Sequence, residues 1–341
     1  MKQLSVARRW LLIAGVALGL GATPIAPAHA QVTAVDGVSI VVENLDASID
    51  FYTRVLDFKK ISEEELAGSE WEHLVGVFGA RARSAQLQLG REAIQLVQFL
   101  APQGRPIPAD SRSQDQWFQH IAIVVRDMPL AYQRLRAANV THASTAPQRL
   151  PDWNPNAGGI QAFYFKDPDN HVLEVIWFPA GKGDPRWQAP GKDLFLGIDH
   201  TAIVVRDTKA SLQFYRDALG LRVAGESENY GIEQEHLNNV FGARLHITGL
   251  RAPSGIGVEF LEYLAPSDGR PYPLDARATD LLSWQTRFAV KDATIESQNA
   301  RRGGGRWISP GAVTLPTTMQ GLTSGALVRD PDGHAVLLMS R

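Results

Sequence analysis

His200-Thr201-Ala202-Ile203-Val204-Val205-Arg206-Asp207 sets a pattern that this chain writes four times. His120-Ile-Ala-Ile-Val-Val-Arg-Asp127 is nearly identical. Gly37-Val-Ser-Ile-Val-Val-Glu-Asn44 keeps the pattern without the histidine, and Gln285-Thr-Arg-Phe-Ala-Val-Lys-Asp292 is a blurred copy. Successive side chains of an extended chain alternate between faces. His200, Ala202 and Val204 therefore share one face, and Thr201, Ile203 and Val205 share the other. A histidine that opens a half-buried strand, and recurs at a repeated position, is a candidate metal ligand.

The repeat extends over the whole chain beyond Val35. Val77-Phe-Gly-Ala-Arg81 returns as Val240-Phe-Gly-Ala-Arg244 (240 − 77 = 163), and Asp167-Pro-Asp returns as Asp330-Pro-Asp (330 − 167 = 163). Each half divides again into a strand, an amphipathic helix and about three further strands. The units are 37–101, 117–178, 197–265 and 283–340. Leu45, Ile49, Tyr52 and Leu56 recur at helical spacing in the first unit, where Leu45-Asp46 reads as the cap. Asp207 caps, and Gly220 ends, the helix of the third. Pro129 sits early in the second helix, and the fourth runs near Ala293 to Ala300. Residues 179–196, rich in Pro and Gly, read as a linker between halves 35–178 and 197–341.

Composition bounds the function. The chain has 341 residues, 44% of them hydrophobic and 21% charged, with a formal net charge of −2. That is a globular protein with no electrostatic footprint for nucleic acid. Lys2, Arg8 and Arg9, the apolar run from Trp10 to Leu20, and Ala28-His29-Ala30 before Gln31 read as a signal peptide over residues 1–30. The expected location is periplasmic or secreted, with no integral membrane segment after cleavage. The chain has no cysteine, so thiolate sites and disulfides are excluded, and any metal must be held by His, Asp, Glu or Gln.

The His-x-x-Ile-Val-Val strand, the Phe51-Tyr52 to Leu56 and Phe214-Tyr215 to Leu219 segments, and the Asp-Pro-Asp-(Asn/Gly)-His turns together resemble the vicinal oxygen chelate superfamily. That superfamily includes glyoxalase I, extradiol dioxygenases, methylmalonyl-CoA epimerase and the bleomycin or fosfomycin resistance proteins. The resemblance implies an α+β fold: four βαβββ modules form two open, cup-shaped mixed β-sheets with helices outside. It places metal ligands on the first and last strands of each module. Those slots are Gly37, His120, His200 and Gln285 on the first strands, and Gln95, Glu174, Glu259 and Leu337 on the last. If neighbouring modules pair, one cup holds Gln95, His120 and Glu174, and the other His200, Glu259 and Gln285. If modules 2 and 3 pair, and 1 and 4, one cup holds His120, Glu174, His200 and Glu259, and the other is dead. The second arrangement is simpler and is the expectation carried forward.

Two imidazoles and two carboxylates suit one divalent first-row ion (Fe, Zn, Ni, Mn or Co), with Glu174 and Glu259 also able to move a proton. No residue is assigned to an organic cofactor. The expected activity is isomerase, epimerase or lyase chemistry on a small oxygenated substrate. The alternatives are an extradiol-type dioxygenase and a non-catalytic binding or resistance protein. The partner is a small molecule, and the chain is a monomer or homodimer. His171 and His334 read as turn residues, His73 and His236 as packing residues, and Glu262 as solvated on the opposite face. Arg105, Arg112, Arg270 and Arg277 read as linker salt bridges. Tyr164 and Trp177 either line the cup or fill core.

Overall fold

Four helix caps divide the chain into its modules. The side chains of Asn44, Asp127, Asp207 and Asp292 each accept a backbone N–H of the first helical turn, the ordinary N-cap bond. In the first module Asn44, not Leu45-Asp46, does the capping. A computed structural model describes residues 32–341 apart from Thr317, Thr318 and Gln320; the expected signal peptide lies outside the described residues. No helix among those described is long and apolar enough to cross a membrane.

The first module contains β1 (Val32–Val41), α1 (Leu45–Leu56), β2 (Lys59–Leu66), α2 (Ser69–Val75), β3 (Arg81–Leu89) and β4 (Glu92–Ala101). The second has β5 (Gln119–Val125), α3 (Met128–Ala137), β6 (Thr141–His142), β7 (Gln148–Arg149), β8 (Gln161–Lys166) and β9 (Val172–Trp177). The third has β10 (Phe195–Val205), α4 (Thr208–Leu212) continued as a π turn to Ala218, β11 (Arg222–Tyr230), α5 (Ile232–Asn238), β12 (Arg244–Arg251), β13 (Ser254–Gly255) and β14 (Gly257–Ala265). The fourth has β15 (Trp284–Val290), α6 (Ala293–Arg302), β16 (Arg306–Trp307), β17 (Val313–Thr314), β18 (Ser324–Arg329) and β19 (Ala335–Ser340).

These strands form two mixed sheets. One runs β16-β18-β19-β15-β1-β4-β3-β2, the other β11-β12-β14-β10-β5-β9-β8-β6. Modules 4 and 1 therefore share one cup, and modules 3 and 2 the other. The seams are the antiparallel pairs β1–β15 and β5–β10. Each cup takes one module from each half of the sequence. The convex faces and the helices share one core, in which Tyr52, Phe163, Tyr215 and Phe288 are fully buried. Neighbouring modules also touch on the convex side: Tyr52 Oη donates to Asp167 in the β8–β9 turn and Tyr215 Oη to Asp330 in the β18–β19 turn, each at 3.1 Å. Of the two pairings open to the sequence, the cups follow 2 with 3 and 1 with 4.

Two long connectors cross between the sheets, residues 102–118 and 266–283, and they latch onto each other. Arg105 donates its backbone N–H (2.9 Å) and its Nη2 (2.7 Å) to Asp280, and Arg270 donates to Asp115 in the same way at 3.0 and 2.7 Å. Both aspartates are buried while both arginines are about half-exposed or less. Burial pushes the Asp115 and Asp280 carboxyls up, but the arginine and backbone N–H bonds outweigh it and hold both below 3.8. Their stabilisation is present above pH 3.8 and is lost as the pH falls through the lower folded values. Asp280→Ala strands the N–H groups of Arg105 and Arg277, so we expect a loss of about 2–4 kcal/mol in denaturant unfolding. Arg105→Ala removes a half-exposed group and should cost about 1 kcal/mol or less.

The turn histidines are structural, as the sequence indicated. His171 bonds Asp167 (2.9 Å) and the Leu281 carbonyl (2.8 Å), and His334 bonds the Val204 carbonyl (2.8 Å). The packing role expected for His73 and His236 does not hold. Both lie exposed in the last turns of α2 and α5, because on a helix this short the buried stripe is already filled by Leu74 and Leu237. Glu262 does face the convex side, but it is half-buried and accepts the Thr208 N–H at 3.1 Å.

Candidate metal centre

Four adjacent strands, β14-β10-β5-β9, carry the candidate ligands on one concave face. In the antiparallel seam His120 lies opposite Ala202, and His200 opposite Ala122. In the parallel pairs, Ala202 is beside Glu259 and Ala122 beside Glu174. Cross-strand partners project to the same face, so both imidazoles and both carboxylates converge. His120 Nε2 is 3.2 Å from Glu174 Oε2. His200 Nε2 is 3.7 Å from the same oxygen and 3.6 Å from Glu259 Oε1. One ligand atom from each of His120, Glu174 and His200 falls within 4.8 Å of the others. Glu259 stands at the edge of this group, its side chain 26% exposed against 6% for Glu174.

The ring nitrogens indicate what the site suits. Both nitrogens of His120 and Nε2 of His200 are buried and make no hydrogen bond among the described residues. A buried polar atom left unsatisfied costs about 1–3 kcal/mol. The two Nε2 atoms, side by side with two carboxylates, fit a divalent ion with nitrogen and oxygen ligands. His200 is oriented from behind: its Nδ1 is 3.0 Å from Asp199, whose carboxylate also accepts Trp187 Nε1 (3.2 Å) and Arg251 Nη2 (2.8 Å). This fixes Nε2 toward the group, the arrangement that tunes many metal-bound imidazoles. His120 has no such group behind it; its ring packs between Tyr164 (ring centroids 4.9 Å) and Phe118 (5.6 Å), with Nε2 facing Glu174.

Charge dominates the metal-free centre. Burial pushes His200 down, but Glu259, Asp199 and Glu174 outweigh it and raise its pKa to about 9. Glu259 is pushed up by burial and by Glu174, against the pull of the histidines. A metal ion needs neutral imidazole, so it must displace the His200 proton. Apparent affinity should therefore rise with pH, about tenfold per unit, and level off above about 9. Calorimetric titration with Zn²⁺ across pH 6–9 measures this. In the metal-free protein the sign reverses: a pKa raised from 6.5 to about 9 adds stability below pH 6.5 and loses it as pH rises through 9.

The model of the Glyoxalase/Bleomycin resistance protein/Dioxygenase superfamily matches residues 34–175 and 197–338. The chain belongs to this superfamily. A curated relative from Actinomyces sp, named 2-epi-5-epi-valiolone epimerase, is 33% identical over 153 residues, covering 43% of this chain and 81% of that protein. Glyoxalase I from Zea mays superposes with a TM-score of 0.59 at 17% identity, over 90% of this chain and 92% of that one. A putative dioxygenase from Bacillus subtilis superposes with a TM-score of 0.55 at 12% identity, over 91% and 86%. These two show the fold. Together the comparisons support an enzyme of this superfamily.

The second cup of this superfamily member keeps the same registers with other residues. Gly37 lies opposite Arg287, Ser39 opposite Gln285 and beside Gln95, and Arg287 beside Leu337. Arg287 thus occupies the place of Ala122. It is buried and donates to Gln95 Oε1 (3.4 Å), and its Nη2 is 3.5 Å from Asp36. Gln95 is further tied to Ser39 and Ser84 at 2.7 Å each. Trp71, Leu315, Met319 and Leu322 fill the rest of the concavity. A Cβ on Gly37 would come within 2.1 Å of the Ala93 carbonyl oxygen, so a histidine cannot be restored there without moving the strand. Of the aromatics, Tyr164 lines the concave face beside His120, while Trp177 packs on the convex core.

The sequence reading missed Asp199, Trp187 and Arg251. Asp199 was legible only as the residue before His200. Trp187 lies in the supposed linker, where a short 3-10 turn (Pro185–Gln188) inserts it against Ala122, Val124 and Ile176.

Proposed function

We propose that the chain is a metal-dependent enzyme of proton transfer, an epimerase or isomerase acting on a small α-hydroxycarbonyl compound. His120, Glu174, His200 and Glu259 would hold the ion. The observation that carries this reading is the pair of buried imidazole Nε2 atoms, of His120 and His200, without a hydrogen bond and beside two carboxylates. A bound divalent ion supplies Lewis-acid polarisation of a carbonyl or enediolate oxygen. The remaining steps belong to the chain. Glu259, the more exposed carboxylate and the one pushed up by its surroundings, takes the proton from the carbon beside the carbonyl. Glu174 and Glu259 stand on the outer strands of the four, with the imidazoles between them. Delivery of the proton by Glu259 to the neighbouring carbon, with the former carbinol becoming the carbonyl, would give isomerisation; delivery of a proton held on Glu174 to the opposite face of the same carbon, with Glu259 then releasing its proton to solvent, would give epimerisation. The name of the Actinomyces relative favours the latter.

The test is metal analysis followed by deuterium exchange. One equivalent of metal per chain is expected, since Arg287 stands in the second cup. The metal-loaded protein in D₂O should label the α-carbon of cyclic hydroxyketones, 2-epi-5-epi-valiolone among them. Metal-independent exchange, or none with any hydroxyketone, would sink the reading. A second reading rests on the close group of two histidines and one carboxylate, His120, His200 and Glu174, a donor set that suits Fe(II) and oxygen chemistry. Oxygen uptake with catechols by the iron-loaded protein would support it. Export is part of the proposal, and a mature mass beginning at Gln31 in protein from producing cells would support it.

A further inference from the structure

We propose that Gly225 and Gly249 form an open floor beside Glu259 that seats the ring of a cyclic substrate whose two neighbouring oxygens reach the metal centre. This rests on the metal-centre reading above. The registers set one row across the sheet: Gly225, Gly249, Glu259, Ala202, His120. All five face the concave side. Exposure rises along it: His120 and Ala202 are buried, Glu259 and Gly249 are half-buried, and Gly225 is exposed. With strands about 4.8 Å apart, the two glycines extend the face roughly 10 Å beyond Glu259, enough for a six-membered ring and its substituents.

Nothing in the backbone requires glycine at either position. Neither has a positive φ. A Cβ on Gly225 would meet no atom within 4 Å, and one on Gly249 only the Gly225 carbonyl oxygen at 3.8 Å. Glycine inside a strand costs about 0.5–1 kcal/mol against alanine, and it often marks a place where something else approaches the sheet. The second cup is the internal control. There the equivalent positions are Ser62 and Gln86, paired with each other and with Gln95 in the same register. Even the bulge is matched, between Lys60 and Ser62 in one cup and between Val223 and Gly225 in the other, so the bulge tolerates a side chain. The cup with the unbonded, buried nitrogens of His120 and His200 is the one that has lost side chains from its floor.

Arg251 borders the floor two residues beyond Gly249 on the same face. Its guanidinium lies over Gly257 beside His200 and donates to the Asp199 backbone and carboxylate at 2.8 Å each. A ring with hydroxyl or carboxylate oxygens on that edge would meet it, which favours polyoxygenated cyclic compounds over linear apolar ones.

The experiment compares two chelating probes on the metal-loaded protein. Both 4-nitrocatechol and acetohydroxamate present neighbouring oxygens, but only the first carries a ring. Gly249→Val should weaken 4-nitrocatechol roughly tenfold or more, leave acetohydroxamate within about twofold, and leave the Zn²⁺ affinity unchanged. Gly249→Ala should show a smaller effect of the same kind with no loss of thermal stability, and it serves if the valine variant does not fold. Gln86→Gly in the other cup should change neither probe. Equal effects on both probes, or none on 4-nitrocatechol, would overturn the floor while leaving the metal centre standing. Failure of the parent protein to bind metal would overturn both.

Discussion

His200→Ala and His120→Ala should each abolish metal retention: metal content is expected to fall from about one equivalent to under a tenth, with catalysis lost in step. Loss of a group behind a metal ligand typically costs 10–100-fold in affinity, and loss of a ligand itself should cost about 10³-fold or more. The two histidines differ in what else they do. His200 is tied to Asp199, so its removal also frees a buried carboxylate whose pKa is held well below the usual range, chiefly against burial, by His200 and Arg251. His120 has no such tie, and both its nitrogens are buried without a bond. His120→Leu removes two unbonded buried nitrogens but also a close neighbour of the buried Glu174 carboxylate, so it should change the stability of the protein without added metal by no more than about 1–2 kcal/mol while destroying the site. Thermal unfolding with and without Zn²⁺ checks both parts. A His120→Leu variant that still bound one equivalent of metal would refute the assignment of this residue.

Glu259→Gln should separate chemistry from binding. Glutamine keeps the shape and one ligand oxygen but cannot accept a proton, so turnover should fall about 10²–10⁴-fold, the usual worth of a placed acid–base group. Metal should remain near one equivalent, because His120, Glu174 and His200 still lie within 4.8 Å of one another. Isotope exchange at the α-carbon should disappear with turnover. The converse variant, Glu174→Gln, should lose metal first, since that carboxylate lies near both imidazoles. If Glu259→Gln kept full exchange activity, the proton would have to be carried by Glu174 alone.

The repeated strand, the capped helices and the Asp-Pro-Asp turns follow from local chemistry, and so they were legible in the sequence. Alternation set which residues of each strand share a face, and the resemblance to the superfamily pointed to the first and last strands, where His120, Glu174, His200 and Glu259 stand. The pairing of modules was not local information. Both arrangements satisfy the same alternation and the same linker, and the choice rests on which strand edges meet along β5–β10 and β1–β15 and on the buried aspartates that latch the connectors. Arg287 in the second cup, Asp199 and Trp187 behind His200, and the empty space above Gly225 and Gly249 were likewise beyond the sequence. A glycine that serves a turn and a glycine that leaves room for a ligand read the same along a chain, and only the atoms around them in three dimensions tell them apart.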